Sequence, residues 1–134
     1  MIIIEYPNII KMKEVIKINN LLLDILKALA HENRLRLLNL LSKQDLCVCE
    51  LRNIMDVTQS NASRHLAKLR NVNLVNSERK EQWVYYSINN KIFDIHPFLE
   101  QLLEEEIKEL EICQNDSKSL LEYNKSSLSC EDLS

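Results

Sequence analysis

The chain contains no glycine, and its only prolines are Pro7 and Pro97. Glycine and proline are the residues that most often interrupt helices and form tight turns. A chain of 134 residues almost without them favours one domain of helices joined by short turns. Asparagine and aspartate tolerate a positive φ better than most residues, so we expect them at turns and helix ends. The sequence therefore predicts a mainly α-helical fold.

Two helical repeats of apolar residues precede residue 45. They are Leu22, Ile25, Leu26 and Leu29 in the first repeat, and Leu35, Leu38 and Leu41 in the second. Spacings of three, four and seven residues place such side chains on one face of an α-helix. The break at residues 31–33 separates the two helices, and Asn33 is a suitable N-cap for the second.

Two shorter amphipathic helices follow, with a turn at 56–59 between them. Their apolar stripes are Leu51, Ile54 and Met55 in the first helix, and Ala62, Leu66 and Leu69 in the second. Asp56 can take the place of glycine in the turn, Thr58 or Ser60 can cap the second helix, and Asn73 can end it. Two short helices joined by a tight turn predict a helix-turn-helix.

Residues 74–88 change to the composition of strands. Leu74 and Val75 begin one strand, residues 83–88 form a second that is rich in aromatic and β-branched residues, and a polar turn at 78–82 lies between them. This pattern predicts a β-hairpin, and a hairpin after a helix-turn-helix makes a winged helix-turn-helix. An apolar stripe opposite a glutamate face then predicts a long helix, with Pro97 in its first turn.

These patterns divide the chain into four parts. We assign an N-terminal arm to residues 1–19, the winged helix-turn-helix domain to 20–92, a C-terminal dimerisation helix to 93–113, and a polar, serine-rich tail that we expect to be mobile to 114–134.

The net charge of −3 conceals an uneven distribution. Between Thr58 and Lys80 five basic residues stand against one glutamate, which gives +4. Between Asp94 and Ser134 eleven acids stand against three lysines, which gives −8. The sequence thus predicts a basic face suited to nucleic acid and an acidic region directed away from it.

Cys47 and Cys49 are separated by one residue in the segment DLCVCEL. On a regular α-helix such residues point about 200° apart, so both cannot bind one ion, whereas in an extended segment they share a face. Chelation would therefore require the first turn of the following helix to unwind, and this would move the DNA-reading unit beside it. The alternative interpretation is two buried small hydrophobic residues.

The start of the chain lacks the basic segment, long apolar run and cleavage site of a signal peptide. We therefore expect a cytoplasmic protein without a membrane segment, in which the four cysteines are thiols. No glycine-rich phosphate loop exists, and no paired carboxylates or Ser/His/Asp set stands out, so we expect no enzyme.

The ordered segments LKALAHENRLRLLNLL, TQSNASRHLAKLRNVNLV and WVYYSIN resemble the ArsR/SmtB family of metal- and metalloid-responsive repressors, over about residues 20–112. The resemblance implies a homodimer packed through its first and last helices, which binds double-stranded operator DNA and leaves it when an inducer binds. DLCVCEL resembles the cysteine box of the arsenic-sensing and cadmium/lead-sensing branches. Where glycines are common in the family's turn and wing, this chain has Asp56, Asn73 and Glu81.

The second helix of the helix-turn-helix is expected to enter the major groove, where residues near its start reach base edges. Gln59, Asn61 and Arg64 have the chemistry for bidentate base contacts. Phosphate contacts are expected from Ser60, Ser63 and Lys68, with His65 in the same polar set, and wing contacts from Arg79, Lys80 and Gln82. The alternative is that some are helix caps or solvated surface.

The resemblance implies As(III) or Sb(III) as inducer, with thiolates of Cys47 and Cys49 as ligands. Some relatives carry a third cysteine where this chain has Arg52, so the third ligand could be solvent, Cys113 or Cys130. A cadmium/lead sensor and a redox- or persulfide-responsive repressor, with Cys47 and Cys49 or Cys113 and Cys130 oxidised, are the alternatives. A zinc site on the last helix is not expected, because Asp94 and His96 match only half of it and the other half is Ile107 and Leu110.

Overall fold

The computed structural model describes residues 21–134, and the predicted N-terminal arm lies outside the described residues. Helices and strands follow in the order α1 (21–29), α2 (Glu32–Leu41), β1 (Leu46–Cys47), α3 (Val48–Met55), α4 (Gln59–Asn71), β2 (Val75–Lys80), β3 (Trp83–Ile88), α5 (Ile92–Ile95), α6 (Phe98–Gln101), α7 (Glu111–Lys125) and α8 (Cys130–Leu133).

The pair α3–α4 forms the predicted helix-turn-helix. Asp56 ends α3 with φ 55°, so it provides the left-handed residue that glycine would otherwise supply. The side chain of Thr58 caps α4 by accepting the backbone N–H of Asn61 at 3.1 Å. The second helix, α2, begins slightly earlier than expected, because His31 and not Asn33 is its N-cap.

A three-stranded antiparallel sheet with the order β1-β3-β2 follows the helix-turn-helix. Strands β2 and β3 form the predicted hairpin, and Glu81 takes a φ of 58° in the turn between them. The short strand β1 pairs Cys47 with Tyr85 on the outer side of β3. The helix-turn-helix and this hairpin confirm the predicted winged helix-turn-helix.

The core is formed mainly by leucines and isoleucines. The fully buried members come mainly from α1, α2, α3, α4 and α6; they include Ile25, Leu37, Leu38, Leu40, Leu51, Leu66, Leu69, Leu99 and Ile107. Helix α2 lies at the centre, since it contacts α4, α7 and β3. Burial of a leucine or isoleucine side chain contributes roughly 1.5–3 kcal/mol, so this cluster is the main stabilising contribution.

The C-terminal region differs from the single helix expected over 93–113. After α6 the chain continues as a π-helical turn (Leu102–Glu106) and a 3-10 turn (Ile107–Glu109), and Leu110 is extended. Helix α7 then covers much of the segment expected to be a mobile tail. The helix buries Cys113, Asp116 and Leu120 against the domain. The polar composition of the segment gave no sign of this packing.

Candidate functional site

Helix α4 exposes most of the side chains that were predicted to contact DNA. Gln59, Ser60, Ser63, Arg64 and Lys68 are exposed. The buried side of the helix comprises Ala62, Leu66 and Leu69, as the apolar stripe predicted. The polar face of α4 is therefore presented to solvent along its length.

Asn61 is half-buried at the start of the same helix. Its Oδ1 accepts a hydrogen bond from Asn33 Nδ2 at 3.2 Å, which ties the start of α4 to α2. Thr58, which caps the helix, lies close to Ser60, with 3.3 Å between their hydroxyl oxygens. These contacts fix the end of α4 that a major groove would receive.

His65 does not share the exposed face of α4. The side chain is buried at 3% exposure, and its ring lies 4.2 Å from the ring of His31. Its Nδ1 is 3.3 Å from Arg34 Nη1. Burial, helped by these basic neighbours, lowers the pKa of His65 to about 4, so the ring is neutral at pH 7 and adds no charge to a DNA-facing surface.

The wing carries its basic residues at the hairpin tip. Arg79, Lys80 and Gln82 are exposed. Arg79 Nε donates to the backbone carbonyl of Glu81 at 3.2 Å, and Lys80 Nζ lies 5.5 Å from the centre of the Tyr85 ring. The wing is joined to α4 by Arg70, whose Nη1 donates to Ser77 Oγ at 3.2 Å.

The cysteine pair lies at the start of α3. Cys47 is the N-cap residue of that helix, and Cys49 is its second residue. Both are buried, at 1% and 4% exposure. Helix α3 is intact from Val48, so Cys47 lies just before the helix and Cys49 lies within its first turn.

Cys130 joins the pair from the other end of the chain. Helix α8 places it in one buried cluster with Cys47 and Cys49, next to Trp83, Tyr85 and Leu133. The Sγ atoms of Cys47 and Cys130 are joined in a disulfide. The expectation that all four cysteines are thiols is therefore corrected, because the fold brings together two sulfurs that are 83 residues apart in sequence.

Cys113 lies elsewhere, under helix α7. It is buried beside Asp116, and its backbone carbonyl accepts a hydrogen bond from Asn39 Nδ2 at 3.1 Å. Burial raises the pKa of its thiol to about 11. A thiol of that kind is neutral and a poor ligand, so of the two candidates for a third ligand the structure brings only Cys130 to the pair.

Three residues around the cluster make contacts that the sequence did not predict. Glu50 Oε1 accepts the backbone N–H of Cys47 at 3.0 Å, and its other oxygen accepts the hydroxyl of Tyr123. Arg52, which stands where relatives carry a third cysteine, donates through Nη2 to the backbone carbonyl of Leu133 at 2.5 Å. The spacing of Cys47 and Glu50 is that of an N-cap and its third helical residue, which is a signal that sequence could have given.

The residues that match half of a zinc site on the last helix lie apart from this cluster. Asp94 is exposed on α5. His96 follows it, buried at 7% exposure, and burial lowers its pKa. Ile107 is buried, and Leu110 is an exposed apolar residue.

Within residues 21–134, no helix combines the length and apolarity needed to cross a bilayer.

Residues 31–77 match the family model described as bacterial regulatory protein, arsR family. The chain is 39% identical over 69 residues to the arsenic resistance transcriptional regulator ArsR1 of Pseudomonas putida, a match that covers 51% of this chain and 54% of that protein. It is 39% identical over 83 residues to ArsR2 of the same organism, covering 60% of this chain and 72% of the relative. The chain thus spans about half the length of the first of these relatives.

A solved structure, that of reduced HlyU from Vibrio cholerae, is also similar. It has a TM-score of 0.56 and 34% sequence identity, over 67% of this chain and 93% of that chain.

Proposed function

Since the chain belongs to the arsR family of bacterial regulatory proteins, we propose that it is a dimeric, cytoplasmic repressor released from operator DNA by a thiophilic metalloid. The inducer is As(III) or Sb(III), which prefers sulfur ligands. Its ligands are Cys47, Cys49 and Cys130. The observation that carries this proposal is the buried cluster in which α8 adds a third cysteine to the pair at the start of α3.

The DNA-binding part of the proposal rests on α4 and the wing. Gln59 and Arg64 read bases from the exposed face of α4, assisted by Asn61 at its start. The phosphate contacts come from Ser60, Ser63, Lys68, Arg79, Lys80 and Gln82. His65 is left out of this set because it packs against α2 and carries no charge at pH 7.

Dimerisation is supported by apolar side chains that the single chain leaves exposed. Leu23 and Leu26 on the first helix are 58% and 45% exposed. Ile95, Phe98 and Leu110 in the C-terminal region are 40% exposed or more. Large exposed apolar residues on both regions fit a second copy that packs against them.

Release is coupled to the helix-turn-helix through α3. Cys49 is part of the α3 helix, so it can join Cys47 as a ligand only if the first turn of that helix opens. Helix α3 packs against α4, and a shift in α3 moves the DNA-reading helix. Intact α3 therefore corresponds to the form that binds the operator.

The test is a fluorescence titration of a labelled duplex selected from a random pool by the reduced protein. Arsenite should release the duplex from the wild-type protein and from Cys113→Ser, whose buried thiol is the matched control. Cys49→Ser and Cys130→Ser should still bind the duplex, with the arsenite needed for release raised at least tenfold. Equal release from all four proteins would contradict the proposal.

A redox-responsive repressor is the second candidate, because the structure joins Cys47 and Cys130 in a disulfide. The two thiols would form this bond by transferring two electrons and two protons to a hydroperoxide, which is reduced to an alcohol and water. The same titration separates the two candidates. Release by hydroperoxide and not by arsenite, lost in Cys130→Ser but kept in Cys49→Ser, would favour the redox function.

A further inference from the structure

Helix α7 contacts α3 near both of its ends. At the end of α3, Arg36 joins the carboxylate of Asp116 on α7 to the backbone carbonyl of Met55. At the start of α3, the hydroxyl of Tyr123 on α7 donates to the carboxylate of Glu50. Asp116 and Tyr123 are about two turns apart on α7, so α7 runs along the helix that carries the cysteine pair.

Glu50 closes the first turn of α3. It is the third residue of that helix, and one of its oxygens accepts the backbone N–H of Cys47, the N-cap, at 3.0 Å. A glutamate at this position holds the first turn by reaching back to the N-cap. Its second oxygen accepts the hydroxyl of Tyr123, so both oxygens of the carboxylate are engaged. We propose that Tyr123 and Glu50 form a latch that keeps this turn closed and thereby sets the inducer concentration needed for release.

This role rests on the proposed function, in which Cys49 joins Cys47 as a ligand only when the first turn of α3 opens. Glu50 directly follows Cys49, so opening of the turn moves its carboxylate away from the Cys47 N–H and from Tyr123. Contacts made only in the closed form oppose the open form, and they raise the inducer concentration needed by the factor that their free energy represents. Tyr123 is therefore a positioning residue, which acts on the inducer site through Glu50.

Tyr123 is held in place without help from the cysteines. Its half-buried ring packs against the main hydrophobic core, and Leu120, about one turn earlier on α7, is buried. The next residue, Asn124, forms two hydrogen bonds with the side-chain amide of Gln44, at 2.7 and 3.2 Å. Burial and the hydrogen bond to Glu50 raise the pKa of Tyr123, so its hydroxyl remains a donor to the carboxylate at neutral pH. The core and α7 thus fix the donor of the latch.

The first test measures opening of the turn without any inducer. In the reduced full-length chain, the rate at which iodoacetamide alkylates Cys49 reports how often this buried thiol becomes accessible, and mass spectrometry of peptide fragments measures it. Tyr123→Phe, which removes only the hydroxyl, should raise that rate about 5-fold, the factor that corresponds to one ordinary hydrogen bond. Tyr86→Phe removes the hydroxyl of a half-buried tyrosine on β3, and as the matched control it should leave the rate unchanged.

Cys113 provides an internal reference in the same samples, because α7 buries it. Its alkylation rate should be the same in Tyr123→Phe as in the wild type. A parallel rise at Cys49 and Cys113 would mean that α7 as a whole had loosened, and it would overturn a latch confined to the first turn of α3. Asn124→Ala, which removes the neighbouring contact of α7 with Gln44, should leave alkylation of Cys49 unchanged.

The second test measures release of the selected duplex by arsenite. Tyr123→Phe should bind the duplex as tightly as the wild type, because the closed form still predominates, yet it should need about 5-fold less arsenite for half release. A merely structural role would change affinity and threshold together. In a Cys49→Ser background, Tyr123→Phe should no longer lower the threshold, since opening of the turn then adds no ligand.

Unchanged alkylation of Cys49 in Tyr123→Phe would overturn the latch. Faster alkylation with an unchanged arsenite threshold would overturn its role in setting the inducer concentration. A wild-type protein that arsenite does not release would instead contradict the proposed inducer, and the alkylation rates, which need no inducer, would still decide whether Tyr123 and Glu50 hold the turn closed.

Discussion

Cys47 lies where three structural constraints meet. It pairs with Tyr85 in the sheet, it is the N-cap of α3, and its sulfur is bonded to Cys130. A change in what binds its sulfur therefore acts on the start of α3 and on the attachment of α8 together. Its neighbour Glu50 accepts the Cys47 N–H, so a change at the cysteine also reaches the first turn of the helix.

Substitution of Arg64 tests whether α4 reads bases. Its exposed guanidinium can contact a guanine through two hydrogen bonds, and such a pair contributes about 1–3 kcal/mol of sequence discrimination. We predict that Arg64→Ala weakens binding to the selected duplex about 5- to 150-fold and weakens binding to random DNA far less. The measurement is the ratio of the two dissociation constants at fixed salt concentration.

Arg79→Ala is the matched control for this prediction, because Arg79 lies on the wing and is proposed to contact phosphate. It should weaken binding to both duplexes by the same factor. Equal losses for Arg64→Ala on the two duplexes would make Arg64 a phosphate contact instead of a base contact.

Among the helices, α7 is held by a buried ion pair. Arg36 on α2 donates to both oxygens of Asp116, at 2.7 and 2.8 Å, and also to the backbone carbonyl of Met55 at 2.9 Å. The hydrogen bonding of Arg36 to the Asp116 carboxylate, which accepts, is the main cause of the raised pKa of Arg36. One guanidinium thus links α7 to the end of α3, where the turn of the helix-turn-helix begins.

Asp116→Asn should therefore lower the free energy of unfolding by about 3 kcal/mol, because a buried arginine would lose its counter-charge. Chemical denaturation monitored by circular dichroism measures the effect. Asp94→Asn, at an exposed position on α5, is the control and should change stability by no more than about 0.5 kcal/mol. Equal stabilities of the two variants would show that the ion pair does not hold α7.

The local elements of the fold could be predicted because their signals are local. Asp56, Asn73 and Glu81, at the places of family glycines, are the residues with positive φ in the part of the chain that the structure describes. The apolar stripe of α4 and the hairpin also follow from spacing over fewer than fifteen residues. These elements have in the structure the form that their local sequence predicts.

Helix α7 and the third cysteine could not be predicted in this way. Helix α7 is polar on most of its surface, and it is fixed by a pair of residues 80 positions apart, Arg36 and Asp116. Cys130 meets Cys47 across 83 positions. Periodicity shows which face of a helix or strand is apolar, but it does not show which distant element covers that face. The polar composition of residues 114–134 therefore predicted a mobile tail, because the contacts that hold the segment are not visible locally.

For the whole molecule, both ends of the described chain pack against the domain. Helix α1 packs into the core through Ile25 and Leu29, and α8 returns to the start of α3. The basic surface of α4 is connected to the cysteine cluster through α3, and the wing contacts the cluster directly through Trp83 and Tyr85 of β3. An inducer bound at the cluster can therefore affect DNA binding without contacting DNA.

In the proposed repressor, the inducer is held by thiols from both ends of the domain. X-ray absorption at the arsenic edge, on the reduced full-length protein with one equivalent of arsenite, counts the sulfur ligands directly. We predict three sulfur ligands in the wild type and in Cys113→Ser, and two in Cys130→Ser. Three sulfurs in Cys130→Ser, or a loss of one in Cys113→Ser, would contradict it.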